Sequence, residues 1–474
     1  SSTFDVTVTP VNDAPSQDTI DPVTVTEDSP TQSVAINGIS AGPNETQSLH
    51  IPAVSSDPSL LADPSVTYNN GETSGSLSFA PNANQYGTAT VTVTIEDGGQ
   101  DNDLYTAADN LTSSTTFDIT VSPENDAPTQ NTLADITTAE DAITQSVNIT
   151  GITAGPNETQ VLHVTASSSD STLIANPTVN YTSGDTSSTL HFTPIANQYG
   201  TTTVTVTVED GGLDNNLTTL ADNLTTSSTF DIVVNPVNDA PGKTANNNVT
   251  INEDISSTVA ITGINAGPNE TEIVRITATS SDTTLVPDPS VNYTSGSTSG
   301  AVVFTPLTDQ YGTATVTVTI EDGGLDNDLS TPADNLTNSS TFDVIVNPVN
   351  DVPAGDTIEN VTVDEDVTAQ TINITGLTAG PNETQPLRVT ATSSNAGLLL
   401  NPTVNYTSGS QTGALQFTPL ADQYGSSTIT VTIEDGGLDN NLATANDNLT
   451  SSNTFDITVN PINDAPEGNN IADV

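Results

Sequence analysis

Polar and apolar residues alternate one by one in the most regular segments of this chain. Residues 90–95 read TVTVTI and residues 203–208 read TVTVTV, so every second side chain is Val or Ile. Successive side chains of a β-strand point to opposite faces, so this period predicts strands with one buried face. No comparable helical period occurs in the sequence, which favours an all-β fold.

Clusters of Pro, Gly, Asn and Asp separate the alternating segments, as expected for turns. The first strands are predicted at residues 23–26, 33–39, 49–54, 65–68, 76–79, 89–96 and 116–121. This number of strands in one stretch of about 100 residues fits a Greek-key β-sandwich. The core is predicted to take its inward side chains from the last two strands, namely Val91, Val93, Ile95, Phe117, Ile119 and Val121. We interpret Tyr86, just before the sixth strand, as a corner residue that ties its loop to the sandwich.

Internal repetition determines the predicted domain organisation. The motif Asn-Asp-Ala-Pro, or Asn-Asp-Val-Pro at the fourth occurrence, starts at Asn12, Asn125, Asn238, Asn350 and Asn463, at intervals of 112 or 113 residues. We call this motif the linker. It predicts four complete repeats, at residues 15–127, 128–240, 241–352 and 353–465. Residues 1–14 are predicted to be the last strand and linker of a preceding repeat and residues 466–474 the start of a following one, as in a segment of a longer array.

Charge and composition exclude several classes of function. The 474 residues include 59 Asp or Glu but only 3 Lys or Arg, for a formal net charge of −56. Binding to nucleic acid or to anionic lipid needs clustered basic side chains, so neither is expected as a partner. The chain has no cysteine, which excludes disulfides and thiolate metal sites. No segment is apolar over the length of a membrane span, and we expect no membrane insertion.

Three segments resemble the cadherin-like, immunoglobulin-like tandem repeats of giant bacterial surface proteins. They are residues 277–287 (TATSSDTTLVP), 304–320 (FTPLTDQYGTATVTVTI) and 341–353 (TFDVIVNPVNDVP), and the similarity extends over essentially the whole chain. The resemblance implies tandem β-sandwiches arranged end to end and a secreted or cell-surface location. It also implies frequent calcium binding and a role in adhesion, biofilm or stalk formation. The expected partners are neighbouring repeats, copies of the same chain, or other surface molecules.

The predicted strand directions place acidic residues at both ends of each repeat. The N-terminal pole, where a linker enters, carries residues 97–115 and their counterparts, which we call the acidic loop. The same pole carries the Gly-Pro-Asn-Glu-Thr segment, residues 42–46 and counterparts, which we call the Gly-Pro loop. Calcium prefers six to eight oxygen ligands, and these loops are rich in carboxylates and amides. The alternative is a solvated loop in which Asp, Asn and Gly only form turns.

The candidate calcium ligands at this pole occupy equivalent positions in the four repeats. In the first repeat they are Glu45, Asp97, Asp101, Asp103 and Asp109. Their counterparts are Glu158, Asp210, Asp214, Asn216 and Asp222; Glu270, Asp322, Asp326, Asp328 and Asp334; and Glu383, Asp435, Asp439, Asn441 and Asp447. We treat the acidic loop as the principal site, because a loop of this length without structure of its own is uncommon unless it has a function or is disordered.

A second candidate lies at the C-terminal pole, where the linker leaves. The cadherin resemblance implies that Glu27 joins the linker residues Asn125 and Asp126 around calcium, with equivalent sets along the chain. The alternative is that the linker motif is simply a turn before proline.

Equivalent residues in every repeat indicate a periodic structural role and not one active site, so we expect no enzymatic activity. The leading hypothesis is an extracellular rod, stalk or filament that calcium stiffens. The alternatives are an adhesin whose repeats bind a glycan or a partner protein, and an accessory region of an enzyme.

Overall fold

The computed structural model describes residues 2–465 and Gly468. The chain divides into two compact units, Ser1–Val237 and Asn238–Val474. The described residues contain strands, turns and irregular segments but no helix. Accordingly, no helix in this part of the chain is long and apolar enough to cross a membrane.

The first unit contains two sandwiches. The strands of the first are β1 (Val23–Thr26), β2 (Gln32–Asn37), β3 (Leu49–His50), β4 (Ala53–Ser55), β5 (Ser65–Thr67), β6 (Ser74–Phe79), β7 (Gly87–Asp97) and β8 (Thr112–Ser122). The strands of the second are β9 (Ile136–Ala139), β10 (Gln145–Thr150), β11 (Leu162–Ser168), β12 (Thr178–Asn180), β13 (Ser187–Phe192), β14 (Gly200–Asp210) and β15 (Thr225–Asn235). Pro52 falls between β3 and β4, where it has no N–H to donate to a neighbouring strand.

The second unit also contains two sandwiches. The strands of the third repeat are β16 (Val249–Asn252), β17 (Ser257–Thr262), β18 (Val274–Ser280), β19 (Ser290–Asn292), β20 (Ser299–Phe304), β21 (Gly312–Asp322) and β22 (Thr337–Asn347). The strands of the fourth are β23 (Val361–Asp364), β24 (Gln370–Ile374), β25 (Leu387–Ser393), β26 (Thr403–Asn405), β27 (Gly413–Phe417), β28 (Gly425–Asp435) and β29 (Thr450–Asn460).

The strand order is the same in all four sandwiches. In the first repeat one sheet runs β1-β8-β7-β3, with β4 also paired to β7, and the other runs β2-β6-β5. All pairs are antiparallel except the first and last strands of each repeat, which run parallel, as Val23 opposite Ile119 illustrates. Before β1 the Asp18 N–H donates to the carbonyl of Asn37 at the end of β2, at 2.9 Å, so the start of the repeat contacts both sheets.

Each repeat encloses its own hydrophobic core. The six residues predicted for the core of the first repeat are all at most 4% exposed. One aromatic residue per repeat joins the core from the strand before the long hairpin, namely Phe79, Phe192, Phe304 and Phe417. The prediction of all-β tandem sandwiches is therefore confirmed.

Three details differ from the sequence-based expectations or lie outside them. Strand β8 begins at Thr112, so residues 112–115 belong to a strand and the acidic loop is shorter than predicted. The corner interpretation of Tyr86 is wrong: its side chain is 54% exposed, and its hydroxyl has no hydrogen-bond partner among the described residues. The domain boundaries stay a prediction, and residues 466–474, apart from Gly468, lie outside the described part of the chain.

Candidate metal centre at the poles of each repeat

The linker contacts both loops of the N-terminal pole. The Asn12 amide donates to Asp97 Oδ1 at 3.0 Å and to the Asp109 carbonyl at 3.0 Å, both in the acidic loop. The backbone N–H of Asp13 donates to Glu45 of the Gly-Pro loop at 3.0 Å. The structure therefore places both loops beside the incoming linker, as the predicted strand directions imply.

Asp97 is the most deeply buried acidic residue at this pole. It ends β7, and its side chain is 0% exposed. Its Oδ1 accepts hydrogen bonds from the Asn12 amide and from the backbone N–H groups of Gly99 and Leu111. Its Oδ2 is buried without any hydrogen-bond partner. The same burial and the same orphaned oxygen recur at Asp210, Asp322 and Asp435.

Two amide side chains at the pole also have buried oxygens without partners. Gln47 donates its amide to Asn12 Oδ1 at 2.9 Å, while its own Oε1 is unpartnered. Asn110, next to Asp109, donates to Glu96 and leaves its Oδ1 unpartnered. An unpartnered buried oxygen costs free energy, about 1–3 kcal/mol for a neutral group and more for a charged one. A set of such oxygens in every repeat is the pattern expected where a cation supplies the partner.

The Gly-Pro loop adds a carboxylate beside this set. A Cβ on Gly155 would lie 2.4 Å from Glu158 Oε2 and 2.9 Å from Asp126 Cβ, so a larger residue there would displace the carboxylate or the linker. Glu158 accepts the backbone N–H of Asp126 at 3.2 Å. Burial raises the pKa of Glu158, with a further contribution from the negative charges of Asp126 and Asp210.

Glu270, in the Gly-Pro loop of the third repeat, has a strongly raised pKa. Burial, together with the negative charges of Glu272, Asp239 and Asp322, raises the pKa of Glu270 to about 7. Hydrogen bonding from the Asp239 N–H opposes this shift.

The outer carboxylates of the acidic loop have partners inside the loop itself. Asp101 accepts the Asp103 N–H at 3.0 Å and the Thr106 hydroxyl at 2.7 Å. Asp103 accepts the Tyr105 N–H at 2.9 Å, and Asp109 accepts the Gln100 N–H at 2.7 Å. Corresponding bonds recur at Asp214, Asn216 and Asp222; at Asp326, Asp328 and Asp334; and at Asp439 and Asn441. Asp447 accepts the Asp439 N–H, one residue beyond the counterpart of Gln100. The first two positions shape the loop through turns in which a side chain bonds the backbone two residues on. The third, Asp109 and its counterparts, closes the loop by bonding a backbone N–H eight or nine residues back.

The C-terminal pole contains a second acidic group. Glu27 is 3% exposed and accepts the Glu124 N–H at 2.8 Å. Asp126 accepts the Asn84 amide at 3.2 Å, and its pKa is raised by burial and then by Asp28 and Glu124. The three predicted ligands Glu27, Asn125 and Asp126 therefore have different hydrogen-bond partners.

The two linker side chains contact opposite repeats. Asn125 donates to Asp210 Oδ1 at 3.0 Å and accepts the Gln160 amide at 3.0 Å, both in the second repeat. Asp126 contacts the loop of the first repeat through Asn84. One linker thus bonds to the N-terminal pole of the repeat that follows it and to the C-terminal pole of the repeat that precedes it.

The fourth repeat has the tightest acidic cluster at its C-terminal pole. Asp366, Asp422 and Asp464 each place a carboxylate oxygen within 4.8 Å of the others. They are exposed, and among the described residues they form the one group of three or more acidic or His side chains this close together. The counterpart of Asp422 in the first repeat is Asn84, whose amide donor reduces the negative charge there.

Several of these residues were missed in the sequence analysis. The amide residues Gln47 and Asn110 carry no charge, so a search for carboxylates passed over them, although each directly follows a candidate motif. Asn84 and Asp422 lie in a loop that was not considered. Their recurrence at the same place in every repeat is the signal that could have identified them.

No protein-family model and no curated protein sequence matches this chain. Among solved structures, the chain resembles protocadherin gammaB7 repeats EC3–6, a cis-dimer structure, at 17% identity and a TM-score of 0.43, covering 94% of this chain and 100% of that one. It resembles the protocadherin gammaB4 extracellular domain at 15% identity and a TM-score of 0.45, covering 94% and 67%. It resembles mouse cadherin-23 EC22–24 at 16% identity and a TM-score of 0.40, covering 72% and 100%.

Proposed function

We propose that this chain is a non-enzymatic, extracellular spacer whose repeats are stiffened by calcium at their junctions. One observation carries the proposal. Every repeat buries an aspartate at its N-terminal pole with one carboxylate oxygen unpartnered, directly beside the incoming linker. A fourfold recurrence of the same costly arrangement is best explained by a ligand that is bound in the working protein.

Calcium fits this set of donors better than other common metals. The unpartnered atoms are carboxylate and amide oxygens, which calcium prefers, whereas zinc prefers sulfur and nitrogen. At the junction between the first and second repeats the residues that would hold the ion are Asp210, Gln160, Asn223 and Glu158. Asp126, whose carboxylate accepts the Asn84 amide while its charge also acts on Glu158, would join them from the linker. The ion would contribute positive charge that offsets the repulsion among these groups.

A cation at this place would restrict the linker. The linker already bonds to the second repeat through Asn125 and to the first through Asp126. An ion held by the same groups adds bonds that break when one repeat bends relative to the next. Calcium sites of extracellular modules have Kd values of roughly 10⁻⁴–10⁻³ M, so millimolar calcium would occupy them.

The test compares the full chain in millimolar calcium, in millimolar magnesium and in chelator. A site that binds only the folded state adds about 2.7 kcal/mol at a hundredfold excess of ion over its Kd. We expect calcium to raise the melting temperature and to lengthen the largest dimension in X-ray scattering, and magnesium to do less. Equal melting and equal scattering in calcium and chelator would exclude a structural role for calcium.

The adhesive alternative has one observation in its favour. Tyr86 is half-exposed and lines a cleft of about 300 Å³ with Pro123, Glu158 and Leu213, and Tyr311 lines a similar cleft in the second unit. Exposed aromatic rings with polar neighbours suit sugar binding. A glycan array probed with the wild type and with Y86A/Y311A would favour this alternative if binding depended on the two tyrosines.

A further inference from the structure

One position at the N-terminal pole differs among the repeats in a way that bears on cation affinity. The residue is Gln47, Gln160 and Gln385 in three repeats but Glu272 in the third. Each glutamine donates its amide to the linker asparagine, at 2.9, 3.0 and 3.1 Å. That hydrogen bond satisfies the asparagine oxygen without any ion.

Glu272 as a carboxylate has no N–H to donate, so the third repeat loses this bond. The linker oxygen Asn238 Oδ1 is buried and unpartnered, and so are Glu272 Oε2 and Glu270 Oε2. Asp322 Oδ2 and Asn335 Oδ1 are unpartnered as in the other repeats. Five buried oxygens without partners thus meet at one pole, and the Asp322 side chain among them is 0% exposed.

The other poles hold fewer such oxygens. The second repeat has three, from Gln160, Asp210 and Asn223. The third repeat also carries one more carboxylate than its counterparts, because glutamate replaces glutamine. Calcium affinity rises with the number of charged oxygen ligands, so both differences act in the same direction.

We infer that the pole of the third repeat is the high-affinity cation site of the array and fills before the other three. The inference rests on the proposed function, since it orders sites that the proposal treats as alike. The glutamine–asparagine bond holds the linker in the other repeats at low calcium. The third linker lacks that bond and keeps only those from the Asn238 amide to Asp322 and Asp334 and from the Asp239 N–H to Glu270, so it gains the most from the cation, in the first step of a titration.

The experiment is a calorimetric titration of the chelator-treated full chain with calcium chloride. We expect the wild type to show one tight site and a later, weaker group. E272Q makes the third repeat like the others and is expected to weaken the tight site roughly tenfold. The reciprocal change Q160E is expected to create a second tight site.

E359Q removes an exposed carboxylate of the fourth repeat and serves as the control for net charge. It is expected to leave the tight step unchanged. Four equivalent sites in the wild type, or a tight step that survives E272Q, would overturn the inference while leaving calcium binding intact. A chain that takes up no calcium would overturn both this inference and the proposed function. Hydrogen exchange of residues 238–240 provides a second readout, since these amides should become more protected in the first step.

Discussion

The acidic loop has an outer and an inner part, and the two treat their carboxylates in opposite ways. In the outer part, Asp101 and Asp103 accept hydrogen bonds from N–H and hydroxyl groups a few residues away. In the inner part, Asp97 is fully buried and keeps one oxygen without a partner. The outer residues form the denser acidic cluster in the sequence, yet only the inner residue has a buried carboxylate oxygen that a cation could pair with.

The comparison shows that acidic density alone is a poor guide to a metal site. Aspartate and asparagine are common in tight loops because their side chains bond the nearby backbone. Such residues are already satisfied and gain little from an ion. A buried oxygen that no donor reaches is the more direct indicator, and it can belong to an uncharged residue such as Gln47.

Replacing the inner aspartate in every repeat is expected to have the largest effect. In D97N/D210N/D322N/D435N, calcium should no longer raise the melting temperature, because this removes the one fully buried carboxylate that each N-terminal pole has among the described residues. The loss corresponds to about 2.7 kcal/mol per site at a hundredfold excess of calcium over Kd. Differential scanning calorimetry with calcium and with chelator measures it. A calcium-dependent shift as large as that of the wild type would mean that the inner part is not the site.

Removing one linker amide is expected to have a smaller, local effect. N125A deletes the group that donates to Asp210 and to the Asp222 carbonyl and that accepts from Gln160. Partners left unsatisfied cost about 1–3 kcal/mol. Hydrogen exchange followed by mass spectrometry should show faster exchange in residues 210–224 and no change in the third repeat. The exposed substitution N148A is the control, and equal exchange in both variants would contradict the bridging role of Asn125.

The pH dependence of the melting temperature of the cation-free chain should also separate the buried carboxylates of the pole from the outer part of the acidic loop. The pKa of Glu270 is raised to about 7, so the folded state binds this proton more tightly than the unfolded state. The resulting stabilisation is complete below the ordinary pKa of glutamate and is lost as the pH rises through 7. The pKa of Asp328 in the outer part is lowered by hydrogen bonds from the Ser330 N–H and hydroxyl, so its contribution is lost only in acid. We therefore expect the cation-free third repeat to melt a few degrees lower at pH 8 than at pH 5.5.

Calcium should abolish this difference, and E270Q should flatten it. Calorimetry at both pH values, with E270Q as the reference, provides the measurement. A third repeat that melts higher at pH 8 than at pH 5.5 in chelator would contradict the raised pKa of Glu270.

The outer aspartates are expected to contribute least. D101N/D214N/D326N/D439N removes a charged acceptor from each threonine hydroxyl, as between Asp101 and Thr106. The exposed loop should lose at most about 1 kcal/mol per repeat. Calorimetric titration should show the wild-type number of calcium ions and the wild-type affinities. Fewer ions bound would restore the outer part of the loop as a metal site.

Much of the fold was predictable from sequence because the strands alternate so regularly. Residues 90–95 alternate half-buried Thr with buried Val or Ile, and the core residues Val91 and Val93 follow directly. The early start of β8 was missed because residues 112–115 read TSST and show no apolar alternation. The backbone there pairs with β7, and pairing across a sheet is not encoded in one strand alone.

The site was harder to predict because its geometry depends on contacts between distant residues. Asp97 and Asp101 look alike in the sequence, and their difference arises from burial at the end of β7. Asn125 and Asp126 are neighbours in the chain, yet their side chains contact different repeats. The strand alternation predicts which face of a strand is buried, but it carries no information about side-chain direction in an irregular linker.

The parallel pairing of β1 with β8 has a mechanical consequence. The linker enters each repeat near one pole and leaves near the other, so tension along the chain acts parallel to these strands. Pulling then loads the hydrogen bonds between residues such as Val23 and Ile119 together, in shear, and does not open them one after another. Each repeat therefore resists tension through its first and last strands, and its unfolding force should depend on this short parallel pair far more than on the sheet formed by β2, β5 and β6.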